Sequence, residues 1–270
     1  MDFITLIIAL SLYQVVRPGS WLQHDKWLNS LDERLREFLH NRFVSAVALL
    51  LLLMIALSWA LAELEGWWFG LVPIAFAVGM LLWSLGHDDY HTELERQLAV
   101  ETAEAIATSQ ESIKLWMPRE NTFATEVAAD SEEHASTRRL VLYSGYARWF
   151  PPVLYFLLFG PAFAVAYRAV ALLAAKETAT SEVIYNNILF YLDWLPARAV
   201  AATFALAGNF TAVTRTDFSG LLLSAKGAPS ILETVANASL DQVDLKAQSE
   251  LLYRCSGLWL LGILLLFVLS

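Results

Sequence analysis

Two long apolar runs, Phe43 to Ala62 and Trp67 to Leu85, restrict this chain more than any other feature. Each approaches the roughly 20 residues that cross a bilayer as a helix. Inside hydrocarbon a backbone must satisfy its own N–H and C=O groups, which leaves helices or closed barrels. No succession of short alternating strands accompanies the runs, so the chain reads as all-α. The composition agrees, with 57% hydrophobic and 17% charged residues and a mean hydropathy of +0.49, against about 45–50% and about 25% in an ordinary soluble domain. The fold expected is a polytopic integral membrane protein, a single membrane domain over residues 1–270 with about four to five transmembrane helices plus surface and cytoplasmic helices. The lipid bilayer is its first partner.

The charge balance narrows the other partners. A net charge of -9 and a pI near 5.0, with basic residues interspersed among acids, supply no basic patch for phosphate backbones, so nucleic acid is not expected. Cys255 is the one cysteine, which rules out an internal disulfide and points to no oxidised, secreted domain. The start, Met1-Asp2-Phe3, lacks a basic n-region and reads as retained rather than as a signal peptide.

Along the chain, residues 3–16 form a short apolar run closed by Arg17-Pro18-Gly19, a length compatible with a short span, a re-entrant piece or an interfacial segment. Trp21 to Arg42 has helical periodicity with aromatic anchors and should lie along the membrane surface. The linker Glu63-Leu64-Glu65-Gly66 between the two long runs has no Lys or Arg, so by the positive-inside rule that hairpin tip faces away from the cytoplasm. Residues 86–148 form a cytoplasmic helical insertion of two helices: Thr92 and Glu95 make a capping box, Pro118 stops the first, and the second runs from about Thr122 to Tyr146. A third span is expected from Trp149 to about Ala175, interrupted by Gly160-Pro161, and a fourth over about 187–209. Residues 210–250 are a cytoplasmic polar segment with helix signals at Pro229 to Asn237 and Asp241 to Arg254, and a last run ends near Leu269. At about 100° per residue, Gly160, Ala164, Tyr167, Arg168, Ala171 and Ala175 share one face, as do Arg198, Ala201, Ala202, Ala205, Gly208 and Asn209. Small residues so spaced let helices approach closely, so these two faces are expected to pack together.

Tyr191-Leu192-Asp193-Trp194-Leu195-Pro196-Ala197-Arg198 places an acid, a proline and an arginine inside an apolar run. An ionisable group in a bilayer costs several kcal/mol unless paired or hydrated, so it marks a candidate site. Asp193 and Arg198 lie about 140° apart around a helix and are poorly placed to pair with each other. Arg168 is the candidate partner for Asp193, and Arg198 can stack on Trp194 one turn earlier. The functional reading is a buried polar cavity for a small anionic ligand, lined by Arg168, Asp193, Trp194 and Arg198. The structural reading is an ion pair locking two helices, or arginines at headgroup depth.

His87, His91 and Glu95, spaced one helical turn apart, could offer metal ligands, whereas the blander reading is a solvated helix start. Ser224-Ala225-Lys226-Gly227 lacks the glycine and hydroxyl of a phosphate-binding loop, and no nucleophile elbow or zinc-protease motif occurs.

Phe159-Gly160-Pro161 with Ala166-Tyr167-Arg168-Ala169-Val170, followed by Leu192-Asp193-Trp194-Leu195-Pro196-Ala197-Arg198 and Ala207-Gly208-Asn209, resembles the signature shared by AmpE and the cobalamin-biosynthesis membrane enzymes CobD and CbiB. The AmpE resemblance implies a multi-pass protein of the bacterial inner membrane, a signalling component linked through the amidase AmpD to cell-wall recycling and β-lactamase induction. The resemblance to the cobalamin enzymes implies the alternative, an amide-forming ligase using ATP and Mg²⁺. Those enzymes carry an Arg-Asp-Thr element and an acidic stretch ahead of the third span, where this chain reads Asp130-Ser131-Glu132-Glu133-His134 and Ser144-Gly145-Tyr146-Ala147-Arg148. The resemblance therefore implies a shared scaffold with Tyr167, Arg168, Asp193 and Arg198 as its anion-binding part, and leaves catalysis unassigned.

Overall fold

The computed structural model describes residues 2–16, 26–65, 70–85, 132–177, 183–240 and 244–269, and among these there are helices and turns but no strand. The described chain is that of an all-α membrane protein. It divides into two compact units, one made of Met1–Asp89 and Pro151–Leu189, the other of Tyr90–Phe150 and Phe190–Ser270. Each unit is assembled from two stretches distant in sequence.

In the first unit, α1 (Asp2–Val16) packs on α4 (Leu71–Leu85), and α2 (Lys26–Leu39) packs on α3 (Arg42–Glu63). The run from Phe43 becomes a helix because Asn41 stands before it, its side-chain oxygen accepting from the amides of Phe43 at 3.0 Å and Val44 at 3.2 Å. Leu51, Leu52, Ile55 and Trp59 of α3 are exposed, as a lipid-facing stripe must be. The expected surface helix is α2, which buries Leu28 and Asp32 and exposes Trp27 and Phe38.

The expected division before Trp149 does not occur: α5 (Glu132–Phe159) runs as one helix through Pro151 and Pro152. A proline inside a helix costs about 3 kcal/mol through a lost hydrogen bond and a ring clash. Burial of Phe150, Val153 and Phe156, each at most 2% exposed, offsets that cost at about 1.5–3 kcal/mol per side chain. The break comes at Gly160, whose φ of 85° and ψ of -178° suit only glycine. Pro161 then opens α6 (Pro161–Lys176) at the position where its missing N–H has no helical partner anyway.

The fourth expected span is a bent pair, α7 (Ile184–Leu192) and α8 (Trp194–Ala207), at 44°. The cause is Pro196, which has no N–H for the carbonyl of Leu192 four residues back and crowds it, so α7 ends there. The ladder resumes with Ala197 N–H on the carbonyl of Asp193 at 3.0 Å.

In the second unit, α8 packs on α11 (Ala228–Ser239) and α12 (Leu245–Leu269), with α9 (Phe210–Arg215) and α10 (Phe218–Leu223) between α8 and α11 in sequence. The core joins Leu142, Tyr146 and Phe150 of α5 to Val200 and Phe204 of α8, Leu232 of α11 and Leu251 of α12. The expected helix from Asp241 and the last apolar run are one element, because Arg254 lies on the exposed side of α12 and pairs with Glu250 at 3.6 Å.

By length and composition, Arg42–Glu63 and Lys246–Leu269 can each cross a membrane, as can the bent pair if it is one span, while Leu71–Leu85 is a shorter apolar helix. Each of the two helices that carry the small-residue faces packs on neighbours within its own unit. Helix α6 packs on α3 and α4, whereas α8 approaches α11 so closely that a Cβ on Gly208 would stand 2.6 Å from the carbonyl oxygen of Ser239. Asn209 N–H donates to that same oxygen at 2.9 Å.

Candidate functional site

Asp193 is the residue that the break sets apart. It is 1% exposed and caps nothing with its side chain, although it occupies the position before α8. Its carboxylate accepts instead from two hydroxyls one turn apart on α5. Tyr143 donates to Oδ2, and Tyr146 lies 3.3 Å from both Oδ1 and the Asp193 carbonyl. The two phenol rings stand 5.6 Å apart and Phe150 stacks beyond Tyr146 at 6.4 Å, so the oxygens converge within an otherwise apolar stack. Burial first, then the charge and the hydrogen bond of Asp193, hold the Tyr143 phenol well above its ordinary pKa. It is a donor throughout the physiological range.

Arg198 occupies the next turn but serves a different purpose. Its Nε donates to the carbonyl of Leu222 at 2.6 Å, and its terminal nitrogens donate to the carbonyls of Ser224 at 2.5 Å and Trp194 at 2.8 Å. The guanidinium carbon lies 4.2 Å from the centroid of the Trp194 ring, the stacking that the spacing suggests. Carbonyls freed at the end of α10 are what a cation can satisfy. The guanidinium fastens the end of α10 to α8, and Arg198 and Asp193 do not share a partner in these bonds.

Tyr167 and Arg168 lie in α6, 1% and 3% exposed, in the other unit, where the Tyr167 ring packs on Tyr155 at 5.6 Å. Of the five residues singled out in the sequence, the structure therefore gathers Asp193, Trp194 and Arg198 on one short stretch and places the remaining two in the first unit. His87, His91 and Glu95 lie outside the described residues. Among the described residues, no three His, Cys, Asp or Glu side chains group as metal ligands. Cys255 is buried in the core beside Leu251 and Leu252, a packing position.

Sequence reading passes over Tyr143 and Tyr146. Their signal is a pair of phenols at i and i+3 directly ahead of the apolar Trp149 and Phe150, on a face that hydropathy scores as ordinary core. It also passes over a polar group in the first unit. There Tyr185 donates to Asp32, which pairs with Arg36 at 2.6 Å, and Lys176 donates to Asn29 at 2.9 Å. Glu177 accepts from the backbone amides of Tyr185 at 2.9 Å and Asn186 at 3.0 Å, and from the Asn186 side chain at 2.8 Å. These bonds fix α2 and the start of α7 to the end of α6.

Neither curated proteins nor solved structures give a match to the chain. A family model described as "Regulatory signalling modulator protein AmpE" matches residues 1–244 of the 270. The match runs through both units, the broken helix and the buried acid, and on that footing the chain belongs to the AmpE family.

Proposed function

We propose that this AmpE-family protein is an inner-membrane regulatory component of cell-wall recycling and β-lactamase induction that responds to a small anionic ligand. Its polar segments face the cytoplasm, and its partner is an AmpD-type amidase. The family match supports the regulatory role. The observation that supports placing the response at the motif helices is the burial of ionisable groups there, Asp193 at 1% exposure and Arg168 at 3%. A guanidinium held inside an apolar helix needs anionic or carbonyl oxygens to offset its desolvation, and an anionic ligand group is one such source. Arg168 is assigned that contact as the buried cation of the α6 motif.

The test is complementation. A strain lacking the protein is supplied with the parent chain, Arg168→Gln or Asp193→Asn, each at matched membrane abundance, and β-lactamase induction by a cell-wall antibiotic is measured. Both variants are expected to lose induction. Unchanged induction removes the ligand assignment. Nucleotide-dependent amide product from the purified protein with ATP, Mg²⁺ and candidate acids would replace the regulatory reading with the ligase alternative.

A further inference from the structure

The described residues contain one place where side chains from a separate helix seize the residue that interrupts an apolar helix pair. The Tyr143 and Tyr146 hydroxyls do so at Asp193. The two contacts are unequal. Tyr143 makes the short bond to Oδ2, whereas the 3.3 Å contacts of Tyr146 are longer than the usual 2.5–3.0 Å of an O–H donor. They also touch different things: Tyr143 holds the carboxylate, and Tyr146 reaches the carbonyl that accepts the first bond of α8. Pro196 makes a break here through its missing N–H and the crowding of its ring, which force a bend but leave its angle latitude. The angle needs a partner outside the pair.

We infer that Tyr143 and Tyr146 are positioning residues that clamp Asp193 and thereby fix the bend of the α7–α8 pair, Tyr143 carrying most of the effect. The geometry of the clamp stands by itself, and its link to signalling rests on the regulatory reading above. A Tyr143→Phe change keeps the ring, which is packed on Tyr146, and removes only the oxygen. The carboxylate then loses that donor in a site with 1% exposure, and the bend is free to adopt other angles.

The experiment uses the full chain with Cys255→Ser and spin labels at Tyr191 and Leu206, positions 75% and 69% exposed on either side of the break. Distance distributions are recorded for the parent, Tyr143→Phe, Tyr146→Phe and Thr203→Val. The last variant removes a hydrogen bond of α8 to Trp259 without touching Asp193, and so reports general loosening. A narrow parental distribution that broadens or shifts in Tyr143→Phe, less so in Tyr146→Phe and not in Thr203→Val, supports the clamp. Induction in the complementation assay should fall several-fold in Tyr143→Phe alone or in both tyrosine variants. A parental distribution in Tyr143→Phe overturns the proposal, as does an equal shift in Thr203→Val. A shifted distribution in Tyr143→Phe with full induction in Asp193→Asn supports the clamp and removes the ligand assignment and the clamp's link to induction instead.

Discussion

Arg198 shows why a charged residue in an apolar helix cannot be given a role from its position alone. Its planar guanidinium satisfies carbonyls of Leu222, Ser224 and Trp194 together while lying on an indole, a geometry that an ammonium group does not reproduce. Arg198→Lys should therefore cost about 1–3 kcal/mol through stranded carbonyls. The measurable consequence is faster proteolysis between α10 and α11, and an unchanged cleavage rate would show that the clamp is dispensable. Tyr143 gives a prediction with a definite sign. A free tyrosine titrates near 10, and the folded phenol titrates well above its ordinary value because of burial and Asp193. A raised pKa contributes stability that is fully present below about pH 10 and is lost as pH climbs through the folded value. The melting temperature of the parent should thus exceed that of Tyr143→Phe by a steady margin below about pH 10, and the margin should shrink as pH rises above that value. A gap independent of pH would mean that the hydroxyl does no electrostatic work.

At the scale of elements, polar side chains tie helix ends to one another. Glu177 ends α6 and caps α7, accepting from two backbone amides and one carboxamide. Glu177→Ala leaves those donors buried and unmet, at about 1–3 kcal/mol for the first and less for each that finds water. Hydrogen exchange should quicken at Tyr185 and Asn186 first, and unchanged protection there would locate the α7 start in packing alone. The legibility of such elements in the sequence is uneven for physical reasons. Apolar length announces α3 and the periodicity of Trp21 to Arg42 announces α2, since both are local properties of contiguous residues. Gly160-Pro161 announces a break because glycine admits a positive φ while proline fixes its own φ and lacks an N–H, both local properties. The break at Asp193 is equally local, but its signal sits at Pro196, four residues beyond the carbonyl it disrupts, and reading 187–209 as one span overlooks that offset. Tyr143 and Asp193 are 50 residues apart, and Asp32 and Tyr185 are 153 apart, so no periodicity within one helix could join them. Hence Asp193 and the stacking of Arg198 on Trp194 are legible within one stretch, whereas partners on other helices, such as Tyr143 and Tyr146, are not.

For the whole molecule, hydropathy conceals the division into units because lipid-facing and core-facing side chains are alike in composition. Leu264 and Leu265 of α12 are exposed while Leu251 and Leu252 of the same helix are buried, and a window average scores both as one run. The units are also discontinuous in sequence, so no linker or change of composition marks them. Helix α12 begins at Leu245, just beyond the family-matched residues 1–244, yet its first turns complete the core of the second unit through Leu251, Leu252 and Cys255. Trp259 extends that contact, its ring 6.2 Å from Trp149 and 5.3 Å from Phe150, both edge-on, while its indole N–H donates to Thr203 of α8 at 3.0 Å. One side chain on α12 therefore bears on α5 and α8 together. Trp259→Ala removes a large, half-buried aromatic body along with its edge contacts and its bond to Thr203, at about 2–4 kcal/mol. If α12 is integral to this unit, exchange protection should fall along α5, α8 and α11 as well as in α12 itself. Loss confined to residues 245–269 would instead make the helix an appended anchor, and the core of the second unit would have to be complete without it.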